Sequence, residues 1–208
     1  MQKNWIDITQ PLTNEIAVWP GDSPFEFKLS VTKAQTDSVN IGRLKTSVHT
    51  GTHVDAPFHF DDAGEKMHEV DVSTYIGRAR VIDVASYDEI DRQVLEKFDL
   101  EGVKRLIFKT EKRRNPTVFL EGFTIIHPNV APYLKERGVL LVGTDSPSVD
   151  PVDSKSLSAH HALNENGIYI LENLFLEKAD PGEYELIALP LKLVGADGSP
   201  VRAVIRPI

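Results

Sequence analysis

Residues 47–60 read Ser47-Val-His-Thr-Gly-Thr-His-Val-Asp-Ala-Pro-Phe-His-Phe60. His49, His53, Asp55 and His59 all occupy odd positions. In an extended chain, side chains separated by an even number of residues fall on one face. A helix serves this spacing less well: His49 and His53 would share a face, but six residues turn the chain by about 600°, which points Asp55 elsewhere. Gly51, the β-branched Thr50, Thr52 and Val54, and Pro57 also disfavour a helix. The segment therefore reads as extended or turning, with Gly51 permitting a bend and Pro57 disturbing the parity before His59.

Two imidazoles and a carboxylate on one face form a common catalytic zinc set with a position left for water. The chain has no cysteine, so thiolate sites, disulfides and a cysteine nucleophile are excluded. Any metal must take His, Asp, Glu or water, and imidazole suits first-row ions such as zinc. Further along, His160 and His161 lie on a predicted helix about 100° apart, so only one of them can face a metal. The other packs or donates a hydrogen bond. Spacing alone reads Glu172, at a strand end, as a surface glutamate, and Trp19, in a Pro/Gly loop, as a core anchor. His68 and His127 do not read as ligands. No G-x-S-x-G elbow or phosphate-binding glycine loop is present, and Ser146 and Ser148 fall in a loop of turn formers.

Outward from the motif the pattern is strand-rich. Residues 5–9 and 25–32 alternate, as does the stretch from Ile41 to His49. Short apolar runs at 78–84, 105–109 and 139–142 have strand length, and 168–171 forms a strand that delivers Glu172. Strands also cover 185–191 and 201–205, joined through a turn at Ala196-Asp197-Gly198. Residues 89–98 and 129–135 read as helices, the latter stopped by Gly138. A third helix, capped by Ser156 or Ser158, runs to Leu163 and is stopped by Gly167. Such a mixture favours an α/β or α+β domain with a large mixed sheet. With 208 residues and no linker or repeat, residues 1–208 are expected to form one domain.

The net charge of −8 repels nucleic acid and anionic membranes, and the Lys112, Arg113, Arg114 cluster reads as a solvated loop. No signal-peptide pattern opens the chain and no apolar stretch reaches the ~18 residues of a membrane span, which gives a cytoplasmic expectation.

The run from His49 to His59 resembles the H-x-G-T-H-x-D-x-P-x-H signature of the metal-dependent cyclase family. Val18 to Asp22, Gly143 to Asp150, Ala159 to His161, Ile170 to Asn173 and Leu191 to Gly198 resemble its kynurenine formamidase branch. The resemblance implies a swivelling β/β/α fold, a homodimer and two zinc ions per subunit. It implies one zinc on His49, His53 and Asp55, and a second on Asp55, His160 and Glu172, with Glu172 able to bridge. His59 would be the proton donor and acceptor, and Trp19 would contact substrate. The implied reaction is hydrolysis of N-formyl-L-kynurenine to L-kynurenine and formate in tryptophan breakdown. The alternative is another cyclic or aryl amide hydrolase of the family, such as an isatin hydrolase.

Overall fold

The computed structural model describes residues 4–110 and 115–208. The Lys112, Arg113, Arg114 cluster lies outside the described residues, as do Met1, Gln2 and Lys3. In chain order the elements are β1 (Ile6–Asp7), β2 (Glu26–Val31), α1 (Lys33–Thr36), β3 (Ile41–Lys45), β4 (His53–Asp55), β5 (Ile76–Asp83), β6 (Glu89–Ile90), α2 (Arg92–Leu95), β7 (Arg105–Lys109), β8 (Ile125–Ile126), α3 (Val130–Glu136), β9 (Leu141–Thr144), α4 (Ser158–Glu165), β10 (Tyr169–Glu172), β11 (Gly182–Ile187), β12 (Gly198–Pro200) and β13 (Val204–Pro207).

A nine-stranded mixed sheet organises the fold, in the order β1-β13-β11-β5-β7-β9-β10-β4-β12. The centre, β5-β7-β9-β10, is parallel. The flanking pairs are antiparallel. The large mixed sheet of an α/β fold is thus as expected.

Buried on both faces, a central parallel strand needs side chains that tolerate that burial. All five residues of β7 are buried. Its two charged ends are satisfied in place: Arg105 Nε donates to Thr74 O at 2.7 Å and Lys109 Nζ to Ala179 O at 2.7 Å. Alternation sorts the rest between two cores. Leu106 and Phe108 pack with Val130, Leu134 and Leu163 of the helices on one face. Ile107 turns to the other face and joins a cluster that contains Val54 and Leu171 from one end of the sheet and Leu186 and Ile205 from the other. Residues so far apart in strand order meet because the sheet curls on itself.

Several boundaries differ from the sequence expectation. The 89–98 segment opens as a short strand, because Glu89-Ile90 pairs with β8, and only 92–95 is helical. The α4 helix takes no cap from Ser156 or Ser158. Its N-cap is Leu157, in the left-handed region at φ 44°, and the Asp150 carboxylate accepts from the Ala159 and His160 N–H groups instead. Where the sequence predicts only a turn at 196–198, a strand runs over 198–200, although Gly-Ser-Pro lacks strand character. It lies at the sheet edge, where a proline is tolerated. No helix among the described residues is long and apolar enough to cross a membrane.

Candidate active site

Strand β4 lies between β10 and β12, and this placement builds the site. His53 and Asp55 are two apart on β4, so both side chains project from one face. Glu172 ends β10 directly opposite His53, and directly opposed residues share a face. Spacing alone made Glu172 a surface residue; the register overturns that, and Glu172 is buried. Opposite Asp55 on the other side stands Gly198. A Cβ there would lie 2.8 Å from His49 Cε1, so the missing side chain gives His49 its place. His49 itself sits before the bend at Gly51, whose φ of +66° needs glycine, and the bend folds the ring back over β4.

Three groups of metal-competent atoms result, each within 4.8 Å: His49, His53 and Asp55; Asp55, His160 and Glu172; and His49, His59 and Asp197. The first two share Asp55. Among the described residues His68 and His127 join none of these groups; each ring accepts a backbone N–H, from Gly195 and Asn129 respectively. His161 is exposed, with its ring 5.5 Å from Phe60.

The local hydrogen bonds test whether these residues suit a cation. His53 Nδ1 donates to the Gly51 carbonyl at 2.8 Å, which must be the acceptor, so Nε2 faces inward. His160 Nδ1 donates to Asp150 Oδ2 at 2.7 Å, with the same consequence. The inward nitrogens stop short of the carboxylates: His53 Nε2 is 3.4 Å from both Asp55 Oδ1 and Glu172 Oε2. His160 Nε2 is 3.6 Å from Asp55 Oδ2 and 3.7 Å from Glu172 Oε1. These lie beyond good hydrogen-bond length, and among the described residues the buried Asp55 Oδ2 has no hydrogen-bond partner. An orphaned carboxylate oxygen facing two inward imidazoles fits a metal ion.

Electrostatics agree. Burial opposes charge on the rings, yet the carboxylates outweigh it. Asp197 and Asp55 hold His49 up at about 9. Asp55 and Glu172 hold His53 at about 10, and Asp150 and Asp55 hold His160 at about 10. Against its own burial, Asp55 is kept well below the usual carboxylate range by His160, His49 and His53. The carboxylates demand positive charge from whatever lies between them. His59 differs: burial, with His49 and His160 nearby, pushes it below its ordinary value despite Asp55 and Asp197. It is therefore neutral near pH 7 and able to accept a proton.

A cavity of about 270 Å³ joins this cluster to an aromatic wall. His49, His53, His59, His160 and Glu172 line one part, and Trp19, Phe119 and Val118 another. Trp19 is half-buried and meets Phe119 edge-on at 5.4 Å. It is thus a wall of the cavity rather than the core anchor that spacing suggested.

The model of the Cyclase family matches residues 6–151. This chain belongs to the cyclase family. It is 54% identical over 204 residues to the kynurenine formamidase of Bacillus cytotoxicus, covering 98% of each chain. A solved structure described as a potential metal-dependent hydrolase with cyclase activity matches with TM-score 0.85 and 26% identity, over 99% of this chain and 98% of that one. Isatin hydrolase A from Labrenzia aggregata has a TM-score of 0.83 at 23% identity, over 98% of this chain and 93% of that one, a likeness of fold.

Two carboxylates of this cyclase-family site escaped the sequence reading. Asp197 Oδ2 lies 2.9 Å from His49 Nε2 and 3.4 Å from His59 Nδ1, and the His49 hydrogen bond holds its carboxyl far below the usual range. Asp150 stands behind His160. In the sequence Asp197 reads as part of a turn, and Asp150 shows no role of its own. The available signal was general: a ligating imidazole needs an acceptor for its other nitrogen, and an Asp in a turn is a natural source.

Proposed function

We propose that this chain hydrolyses N-formyl-L-kynurenine to L-kynurenine and formate, as a metal-dependent arylformamidase of tryptophan breakdown. The observation that carries the reading is the cavity that joins an inward-facing His/Asp/Glu cluster to the Trp19 wall. The kynurenine formamidase relatives at this identity over nearly the whole chain support it. We further propose zinc, two ions per subunit, in a cytoplasmic homodimer whose residues 1–208 form one domain. Imidazole-rich donors favour zinc, and the sharing of Asp55 by two donor groups favours two ions. The pairing of β1 with β13 favours one domain. The β2–β3 hairpin, with Phe27, Leu29, Ile41 and Leu44 all exposed, favours a second copy covering it.

His49, His53 and Asp55 would hold one ion, and Asp55, His160 and Glu172 the other. Bound there, the metal would lower the pKa of water toward neutrality and polarise the formyl oxygen. The chain's own groups do the rest. The Trp19 face packs against the substrate ring and sets the formamide over the cluster. As water adds to the formyl carbon, neutral His59 accepts its proton at the imidazole. When the C–N bond breaks, His59 returns that proton to the aniline nitrogen, which leaves poorly as an anion. Asp197, beside both rings, holds His59 against His49 during the exchange.

The test is turnover of N-formyl-L-kynurenine by zinc-loaded protein, followed by kynurenine absorbance, with and without a chelator. Turnover that chelation abolishes and zinc restores supports the reading. Absence of turnover in folded, metal-loaded protein, with turnover of isatin, overturns the substrate.

A further inference from the structure

The turn Trp19-Pro20-Gly21-Asp22 places both of its ends at the cavity. Pro20 presets the second position, Gly21 takes φ +90° at the third, and Asp22 N donates to Trp19 O at 2.9 Å. These are the features of a type II turn, which brings the first and fourth Cα atoms within about 7 Å. A carboxylate is thereby fixed within a side chain's reach of the indole.

That carboxylate is little used by the protein. Asp22 Oδ1 accepts from Ser23 N–H at 2.6 Å, and no cation pairs with Asp22 among the described residues. Among the described residues that line the cavity, only Glu172 carries another carboxylate. Glu172 is buried between His53 and His160 and accepts from Val149 N–H at 2.9 Å. The cavity thus separates two kinds of acid: one committed to the reacting end, and one exposed beside the aromatic wall.

We propose that Asp22 binds the α-ammonium group of the substrate and so selects aryl formamides whose ring bears an amino-acid side chain. The inference rests on the formamidase reading. With the ring against Trp19, a flexible side chain of a few bonds carries its ammonium to the far corner of the same turn. A neutral aryl formamide gains nothing from Asp22, and an anionic side chain is repelled.

The experiment compares N-formyl-L-kynurenine with an amine-free aryl formamide, in wild-type protein and Asp22→Asn, both zinc-loaded. Asparagine keeps an oxygen for Ser23 N–H, so the turn is preserved. Losing a charged hydrogen bond that acts in binding raises KM roughly tenfold or more at nearly constant kcat. That rise is expected for N-formyl-L-kynurenine alone, with kcat/KM for the amine-free substrate the same in both proteins. Asp22→Glu should restore part of the difference. An equal loss on both substrates, or no KM change on either, overturns the proposal. A wild-type protein with the same KM for both substrates overturns it without a variant, while the formamidase reading stands. A wild-type protein that turns over neither formamide overturns both.

Discussion

His53 and His160 each engage Nδ1 behind the site, on Gly51 O and Asp150 Oδ2, which leaves Nε2 aimed inward. Such a rear partner fixes the ring and its tautomer, and its loss typically costs 10–100-fold in metal affinity. Asp150→Ala is therefore expected to weaken the site containing His160 by about that factor, read by competition with a chelating dye. Unchanged affinity would separate Asp150 from metal binding and leave it only its cap on α4. Protons compete for the same nitrogens. In metal-stripped protein His49 is held at about 9 and His53 and His160 at about 10, so all three are charged at pH 7. Because raised values mean that the protonated rings persist to higher pH, an incoming cation must displace protons. Apparent affinity rises with pH until about 9 to 10. Calorimetry in buffers of different ionisation enthalpy counts the released protons, and a count of zero would contradict the scheme. His59→Ala should lower kcat by roughly 10²–10⁴ while metal content stays normal. Near-normal turnover would remove His59 from proton transfer.

At the scale of elements, β4 gathers the site because its neighbours offer opposite things: a carboxylate at Glu172 and empty space at Gly198. A methyl group at Gly198 would stand 2.9 Å from Val54 O as well as against His49. Gly198→Ala should force β12 and the His49 ring apart. Overpacking of this kind costs about 1–3 kcal/mol, read as a lower Tm together with loss of metal at the site containing His49. An unchanged Tm with full metal content would show that β12 yields freely. The sequence made this element half legible. His53 and Asp55 declare themselves through local parity, and the Gly51 bend through a residue type that permits it. Glu172 and Asp197 do not, because their partners are set by strand pairing across the chain; His49 and Asp197 are 148 residues apart. Periodicity reports which face a residue takes within its own strand and says nothing about which strand lies alongside. The α4 cap is hidden for a different reason: Asp150 lies outside the helix, nine residues before Ala159, where the usual capping position gives no sign of it.

For the whole molecule, composition and strand pattern foretold a large mixed sheet, while its curl came from packing between its two ends, which no local window contains. The β2–β3 hairpin projects with apolar side chains exposed on both strands, including Leu29 and Leu44. Sedimentation should find a dimer, and Leu29→Asp with Leu44→Asp should yield a folded monomer. A wild-type monomer would leave the hairpin to another role. The strand order carries a further consequence, for the time course of assembly. Ile6 pairs with Ile205, and His53 with both Glu172 and Pro200. Contacts that span most of a chain close late, and topologies rich in them fold in milliseconds to seconds. A chain still emerging from the ribosome can hold His49, His53 and Asp55 but has neither Glu172 nor Asp197 to set against them. The donor group that Asp55 forms with His160 and Glu172 is thus complete only after β10 has docked beside β4, and in a refolding experiment cation binding that depends on Glu172 marks the end of the journey rather than its start.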